Sequence, residues 1–354
     1  MTLDKLENIP LYSFFRGMIK LKYLKYAFIW VVLVLVSCKP SETNMEMLDQ
    51  YTKYQLVDWN KKLTNVIVED IFTPPVCSRI YAYPNIAAYE VLAADDDRYP
   101  SFSSNLKGFE DIPPPGDAPV YYPLAAGVAF ALVAQQLVYG QEKIEKELED
   151  YLSEVKGLGL SGRMYEASKS YGTAVANHIL TWAGQDGYLE RTAQTDYIVT
   201  DELGRWTPTP PDYMPAIEPH WNTLRTFVID SASQFTSLGH TPFDTSSTSA
   251  FYKETIEVYD AVNNLDEEKL EIAKFWDCNP NVSNTRGHLM FFDQKISPGG
   301  HWVSIASQVV LQEEKELMEG ARIMALTTIT LADAFISCWD EKYKTALVRP
   351  ETYI

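Results

Sequence analysis

The sequence predicts an all-α protein, and three observations carry that prediction. Apolar residues recur at steps of three and four along much of the 354 residues, as in Leu56, Trp59, Leu63, Ile67 and Ile71. No stretch sustains the two-residue alternation of a half-buried strand. The Pro pair Pro74-Pro75 and the Pro-rich stretches 111–119 and 207–215 fall between the periodic segments, where helices stop. A hydrophobic content of 46% and an aromatic content of 13% are those of a chain that buries a core.

The net charge of -18 excludes nucleic acid as a partner, and excludes docking on anionic lipid through a basic patch. An anion can be held only where cations cluster locally. At the N-terminus Lys20, Lys22 and Lys25 precede the apolar run 27–36, then Ser37 and Cys38. A basic lead, a short apolar run and a small residue describe a secretory signal, and the run is too short to span a bilayer comfortably. Leu35-Val36-Ser37-Cys38 resembles a bacterial lipobox. Residues 1–37 are therefore expected to be a signal peptide, with Met18 a more natural start than Met1. Cys38 becomes the lipidated first residue of a bacterial cell-envelope protein, held to the membrane through its lipid, and 38–48 is a polar tether. An ordinary signal peptide or an uncleaved anchor is the plainer alternative. Cleavage removes five basic and two acidic side chains, so the mature chain is more acidic still. Cys77, Cys278 and Cys338 have no metal-type spacing. They allow either one disulfide with a spare thiol or buried free thiols.

Residues 49–312 read as a helical N-terminal part. An amphipathic helix over 56–71 is stopped by Pro74-Pro75, and an Ala-rich helix over 76–94 is interrupted at Pro84. Its Tyr81, Tyr83 and Tyr89 read as packing residues. The nearly all-apolar stretch 124–138 fits a buried core helix better than a membrane span. An acidic surface helix covers 141–156. The helix over 161–183 offers Met164, Tyr171, Val175, Ile179 and Trp182 to the core, with Gly172 unfavourable inside it and His178 read as a packing residue. The stretch 184–220 is a long irregular excursion carrying Pro208, Pro210, Pro211 and Pro215 among Trp206 and Tyr213. Such a loop is either a lid or substrate rim, or packed coil. Helices over 249–262 and 266–276 follow, the second with Asn264 as its cap.

Two Gly-His motifs come next, Arg286-Gly287-His288 and Pro298-Gly299-Gly300-His301. His301 and Trp302 read as a helix-entry turn lining a pocket mouth, where helix N–H groups can also receive an anion. Residues 313–340 form one long helix with Leu317, Ala321, Met324, Thr328, Leu331 and Phe335 on one face. That helix delivers Lys342, and Arg349-Pro350 follows seven residues on. Seven residues are close to two helical turns, which places the two cations on one face. Pro350 disfavours the helical conformation at Arg349, so this cation belongs at a helix end. Lys as a point charge and Arg as a fork of donors together suit a tetrahedral oxyanion. A solvated helix face among Asp340, Glu341 and Lys344 is the commoner use of such residues.

The Lys342-x6-Arg349-Pro350 pattern, with Ala332-Asp333-Ala334-Phe335 and Trp339-Asp340-Glu341-Lys342-Tyr343 before it, resembles the first signature block of the vanadium-dependent haloperoxidases and the related acid phosphatases of the type 2 phosphatidic acid phosphatase superfamily. The surrounding sequence, and less specifically Ser78-Arg79-Ile80-Tyr81-Ala82-Tyr83-Pro84-Asn85, is similar to the bacterial lipoprotein branch of that family. The resemblance implies a helical bundle of the haloperoxidase type whose core starts in 313–354. It also implies vanadate or phosphate bound by Lys342 and Arg349, and a small oxyanion or phosphate ester as partner. Haloperoxidase and phosphomonoester hydrolase share this clamp. The family continues with P-S-G-H and S-R-x5-H blocks, C-terminal to the first, which would supply the catalytic His residues. Neither block occurs in these 354 residues, so those His residues are expected to lie beyond Ile354. The expectation is a chain lacking the C-terminal part of the bundle, with no catalytic residue present and no turnover. The alternative is an envelope lipoprotein that binds glycan or another ligand through its 8 Trp and 22 Tyr without catalysis. The repeat of about 34 residues that would support this alternative is not found.

Overall fold

A computed structural model describes residues 42–354, apart from 161, 212, 280–282, 287, 288 and 293. The expected signal peptide, Cys38 and the Gly287-His288 pair lie outside the described residues. The first described helix, α1 (Glu42–Thr52), occupies much of the stretch expected to be tether, and it buries Leu48. Helix α2 (Gln55–Asp70) puts Leu56, Trp59, Leu63, Val66 and Ile67 inward. It stops at Ile71, which takes the left-handed conformation. Pro74 and Pro75 open α3 (Pro74–Ala93), where a missing N–H costs nothing.

Helix α3 runs unbroken through Pro84, contrary to the expected interruption. It is the central helix, buried on every side from Pro75 to Leu92. Neighbours packed all round it restrain the turn that Pro84 weakens. The buried amides of Asn60 and Asn85 bond each other reciprocally at 2.9 Å and lock α2 to α3. The Tyr residues expected to pack do so: Tyr81, Tyr83 and Tyr89 are all buried. Helix α4 (Tyr122–Leu137), α5 (Gln141–Gly157) and α6 (Gly162–Ala183) complete the first bundle. α4 packs closely on both α3 and α6. Gly172 of α6 is explained by that approach, since a Cβ there would lie 2.4 Å from the Ala125 carbonyl oxygen. His178 packs as expected, its ring against Phe109 and its Nε2 on the Glu110 carbonyl at 3.0 Å.

From 184 to 249 the chain is irregular, with short 3-10 turns at Glu190–Ala193 and Trp221–Thr223. Helix α7 (Ala250–Asn263) is capped by Ser249. Helix α8 (Glu267–Trp276) is capped by Asp266, whose carboxylate accepts from Lys269 N at 2.8 Å; Asn264 is not the cap. A short antiparallel pair, β1 (Ser283–Arg286) and β2 (Leu289–Phe292), interrupts an otherwise all-α architecture.

The expected helix over 313–340 is shifted, and a second helix precedes it. Helix α9 (Pro298–Gln312) ends in a left-handed Glu314, with Lys315 N bonded to Val310 O and Glu314 N to Leu311 O. These bonds satisfy the last carbonyls of α9 and turn the chain. Helix α10 (Leu317–Thr345) then runs 29 residues. It is long and apolar enough to cross a bilayer, but here it packs along α3 and α9. Residues 346–349 lead into the short α11 (Pro350–Tyr353). Ile354 follows it, its N–H bonded to the Pro350 carbonyl at 2.9 Å and its side chain exposed. Cys77, Cys278 and Cys338 are free thiols.

Candidate functional site

The end of α10 and the irregular stretch after α6 build one cavity of about 550 Å³. Lys342 and Arg349 both line it, together with Trp339, Tyr343, Tyr197, Trp206 and Ile217. The two cations do not share a continuous helix. Helix α10 stops at Thr345, where Ala346 turns left-handed (φ 43) and its N–H returns to the Lys342 carbonyl at 2.9 Å. Arg349 is extended at φ -76, ψ 146, as the following Pro requires, and caps α11. The turn brings Arg349 back toward Lys342 from outside the helix.

Long-range contacts hold that turn. Val348 N bonds Gly204 O at 2.9 Å and Trp206 N bonds Ala346 O at 2.7 Å, around a bridge between Arg205 and Leu347. The Arg205 guanidinium also reaches Thr345 O at 3.1 Å. On the helix side, Trp339 Nε1 and Tyr343 OH both donate to the Ile217 carbonyl, at 2.9 and 2.7 Å. One turn beneath, Asp340 accepts from Asn222 at 2.9 Å and pairs with Lys344. Farther back, Asp333 accepts from the N–H groups of Phe227, Val228 and Ile229 at 2.6, 2.8 and 3.1 Å. Glu218 adds an anchor from the loop itself, pairing with Arg191 at 2.9 Å and accepting from Thr73 at 3.2 Å. The excursion expected to be a lid, a rim or packed coil is the wall of the cavity.

Lys342 sits with its Nζ 4.2 Å from the centre of the Trp339 ring. No carboxylate forms an ion pair with it among the described residues, whereas Lys344 takes Asp340 and Arg349 takes Glu351 at 3.3 Å. Lys342 lines the cavity and keeps solvent access. Even so, the protein atoms crowded around it, and then the charge of Arg349, hold its pKa below the ordinary lysine value. Burial pushes the Tyr343 phenol up, so it stays a neutral donor. Two mutually repelling cations in one open cavity form a locus of positive potential in an acidic protein.

His301 and Trp302 lie elsewhere. They line a neighbouring cavity of about 300 Å³ that shares only Pro74 and Asn279 with the first. His301 Nδ1 is 2.8 Å from Cys278 Sγ, and its ring stacks on Trp276. The N–H groups at the start of α9 are not open to an anion at Gly300, because Ser297 Oγ accepts from Gly300 N at 3.1 Å. The first cavity is lined also by residues the motif does not name, among them Tyr197, Trp206 and Glu351. Of these, Trp206 was visible in the sequence only as an aromatic among prolines. Ile354, the position past which the catalytic His residues are expected, lines neither cavity. It is a surface residue of the segment that carries Arg349, with no part in the clamp.

The donor set suits a hard oxyanion such as vanadate or phosphate. Among the described residues that line this cavity there is no His or Cys, so this part of the chain offers hydrogen bonds and charge to oxygens, not a bond to vanadium. Neither family models nor curated proteins match the chain. Among solved structures, a bacterial vanadium-dependent iodoperoxidase is similar to it, with a TM-score of 0.80 and 37% identity over 89% of this chain and 73% of the other. With its helical fold, its cationic pair and that degree of identity, the chain belongs to the vanadium-dependent haloperoxidase family.

Proposed function

We propose that the cavity at the end of α10 binds vanadate or phosphate between Lys342 and Arg349. The observation that carries this reading is that both cations line one cavity while Lys342 has no carboxylate partner among the described residues. Lys342 would act as a point charge on one oxygen and Arg349 as a two-pronged donor to others. Together they neutralise negative charge on the oxygens of the bound group. Bound vanadate would supply the oxidation of halide by peroxide; a bound phosphate ester would be the substrate of a phosphatase. The clamp is the same for both chemistries. The P-S-G-H and S-R-x5-H patterns that carry the family's catalytic His residues do not occur in these 354 residues. This length of chain by itself is therefore proposed to bind an oxyanion without turning it over.

Calorimetric titration with orthovanadate and with phosphate tests the reading. Lys342→Ala and Arg349→Ala are each expected to weaken binding by about tenfold or more, the effect of losing a charged hydrogen bond of roughly 1.5–3 kcal/mol. Phosphomonoester hydrolysis and peroxide-dependent bromination of a dye are expected to stay at background. Binding that survives both substitutions contradicts the site, and turnover by the purified chain contradicts the proposed binding without catalysis.

A further inference from the structure

The second cavity has a chemistry that the oxyanion site does not use. His301 stands in the first turn of α9, and Cys278 lies two residues past the end of α8. A tight turn, with Cys278 N on Trp276 O at 2.9 Å, carries the thiol back to the imidazole. Sγ then lies 2.8 Å from His301 Nδ1. A nucleophile beside a base, with the base oriented by further groups, is the arrangement of covalent catalysis. Here the orienting groups are aromatic. The imidazole stacks on Trp276 at 5.0 Å and 12°, and Phe275 meets it edge-on at 4.8 Å.

Burial, and then the charge of Asp277, push the Cys278 thiol above its ordinary value. Asp277 is itself paired with Lys295 at 2.6 Å. At rest the thiol therefore keeps its proton and donates it to Nδ1, which assigns the imidazole hydrogen to Nε2. Both groups face a cavity of about 300 Å³ whose other walls include Pro74, Trp276, Pro298 and Trp302. That is the size of the smaller organic-ligand sites. Phe275, Trp276 and Trp302 are all exposed, although they are large and apolar. Three such rings gathered around one thiol form a patch on which an apolar molecule sheds water.

We propose that Cys278 is a covalent site for a small uncharged α,β-unsaturated carbonyl compound, with His301 as the proton carrier. The Sγ–carbon bond forms at the β-carbon as the π bond of the alkene breaks. Its electron pair moves to the carbonyl oxygen, giving an enolate. The thiol proton passes to His301 Nδ1 and is returned at the α-carbon. Every atom of both partners stays in the adduct, so the step needs no oxidant and no leaving group. An uncharged ligand suits apolar walls with the Asp277 carboxylate beside the thiol.

The test treats the purified chain with 2-cyclohexenone and follows each cysteine by peptide mass spectrometry. The exposed thiol of Cys338 serves as the internal reference. Cys278 is expected to react at least about tenfold faster than Cys338, although it is the more buried, because positioned proton transfer contributes about 10²-fold or more. His301→Gln and His301→Ala are each expected to slow Cys278 by about 10²-fold and to leave Cys338 unchanged. The pH profile of the unaltered chain gives a second reading. A thiol that must ionise to solvent reacts about tenfold faster for each pH unit up to its pKa, whereas one that hands its proton to an imidazole does not. The Cys278 rate is therefore expected to be flat from about pH 8 to the ordinary thiol value of 9.0. A Cys278 rate no greater than that of Cys338 overturns the proposal. So does a tenfold rise per pH unit at Cys278, or an undiminished rate in folded His301 variants. If neither variant folds, the comparison with Cys338 and the pH profile decide the matter without them.

Discussion

At the scale of single residues, the site is set by which cation has a partner. Arg349 and Glu351 form an exposed pair at 3.3 Å, and exposed pairs contribute little and exchange readily. Lys342 has an indole and a neighbouring cation instead. A lysine whose folded pKa lies below the ordinary value carries its full charge below that folded value and loses it as pH rises through it. An oxyanion bound there would favour the charged form, so the Lys342 contribution to affinity is expected to be complete below that folded value. It is expected to fall as pH rises through that lowered value, in the window between it and the ordinary lysine value of 10.5. The same shift makes folding more favourable with rising pH across that window, because the unfolded chain there binds more protons. Phosphate titrations over a pH series check the first effect. The Lys342→Arg variant, which does not titrate in that range, is expected to keep its affinity; an equal decline in the variant would assign the titration to another group.

At the scale of elements, α10 organises the site by holding a loop along its length. Asp333 is the strongest of these ties, with three backbone N–H groups on one buried carboxylate. Asp333→Ala leaves those donors without their acceptor and is expected to destabilise the fold by about 3 kcal/mol, read as a lowered denaturation midpoint with an unchanged slope. A loss under about 0.5 kcal/mol would mean that the loop does not depend on this anchor. The helices themselves were largely legible, because α2, α4, α5, α6 and α7 follow apolar periodicity or composition. The break between α9 and α10 was not. It falls in Glu313-Glu314-Lys315-Glu316, good helix formers without Gly or Pro, and it is fixed by a left-handed Glu314 and its capping bonds. The end of α10 hid in the same way behind a left-handed Ala346. Pro84 misled in the opposite sense, since tertiary packing carries α3 through it.

At the scale of the whole molecule, α3 is the buried centre of the first bundle, and the cavity lies between α10 and the long excursion that follows α6. The spacing of Lys342 and Arg349 drew attention to both cations but carried the helix on toward Arg349, whereas α10 stops at Thr345 and Arg349 precedes α11. It could not show that residues 204–206, more than 130 positions earlier in the chain, fix the turn between them by pairing with 346–348. Nor could it separate the His301 cavity from this one, since Gly-Gly-His carries no record of what its turn faces. The buried Arg79–Asp186 pair at 2.7 Å, with Tyr83 donating to the same carboxylate at 2.8 Å, shows the role of the second similar segment. It ties α3 to the chain leaving α6.

Lys342 and Arg349 are proposed to hold one oxyanion between them. A crystal of this chain soaked in vanadate, measured for anomalous scattering, tests it most directly. The expected result is a single strong peak within hydrogen-bond reach of both Lys342 Nζ and the Arg349 guanidinium, absent from Lys342→Ala crystals. A peak at the start of α9 beside His301, or no peak at the end of α10, would contradict the account.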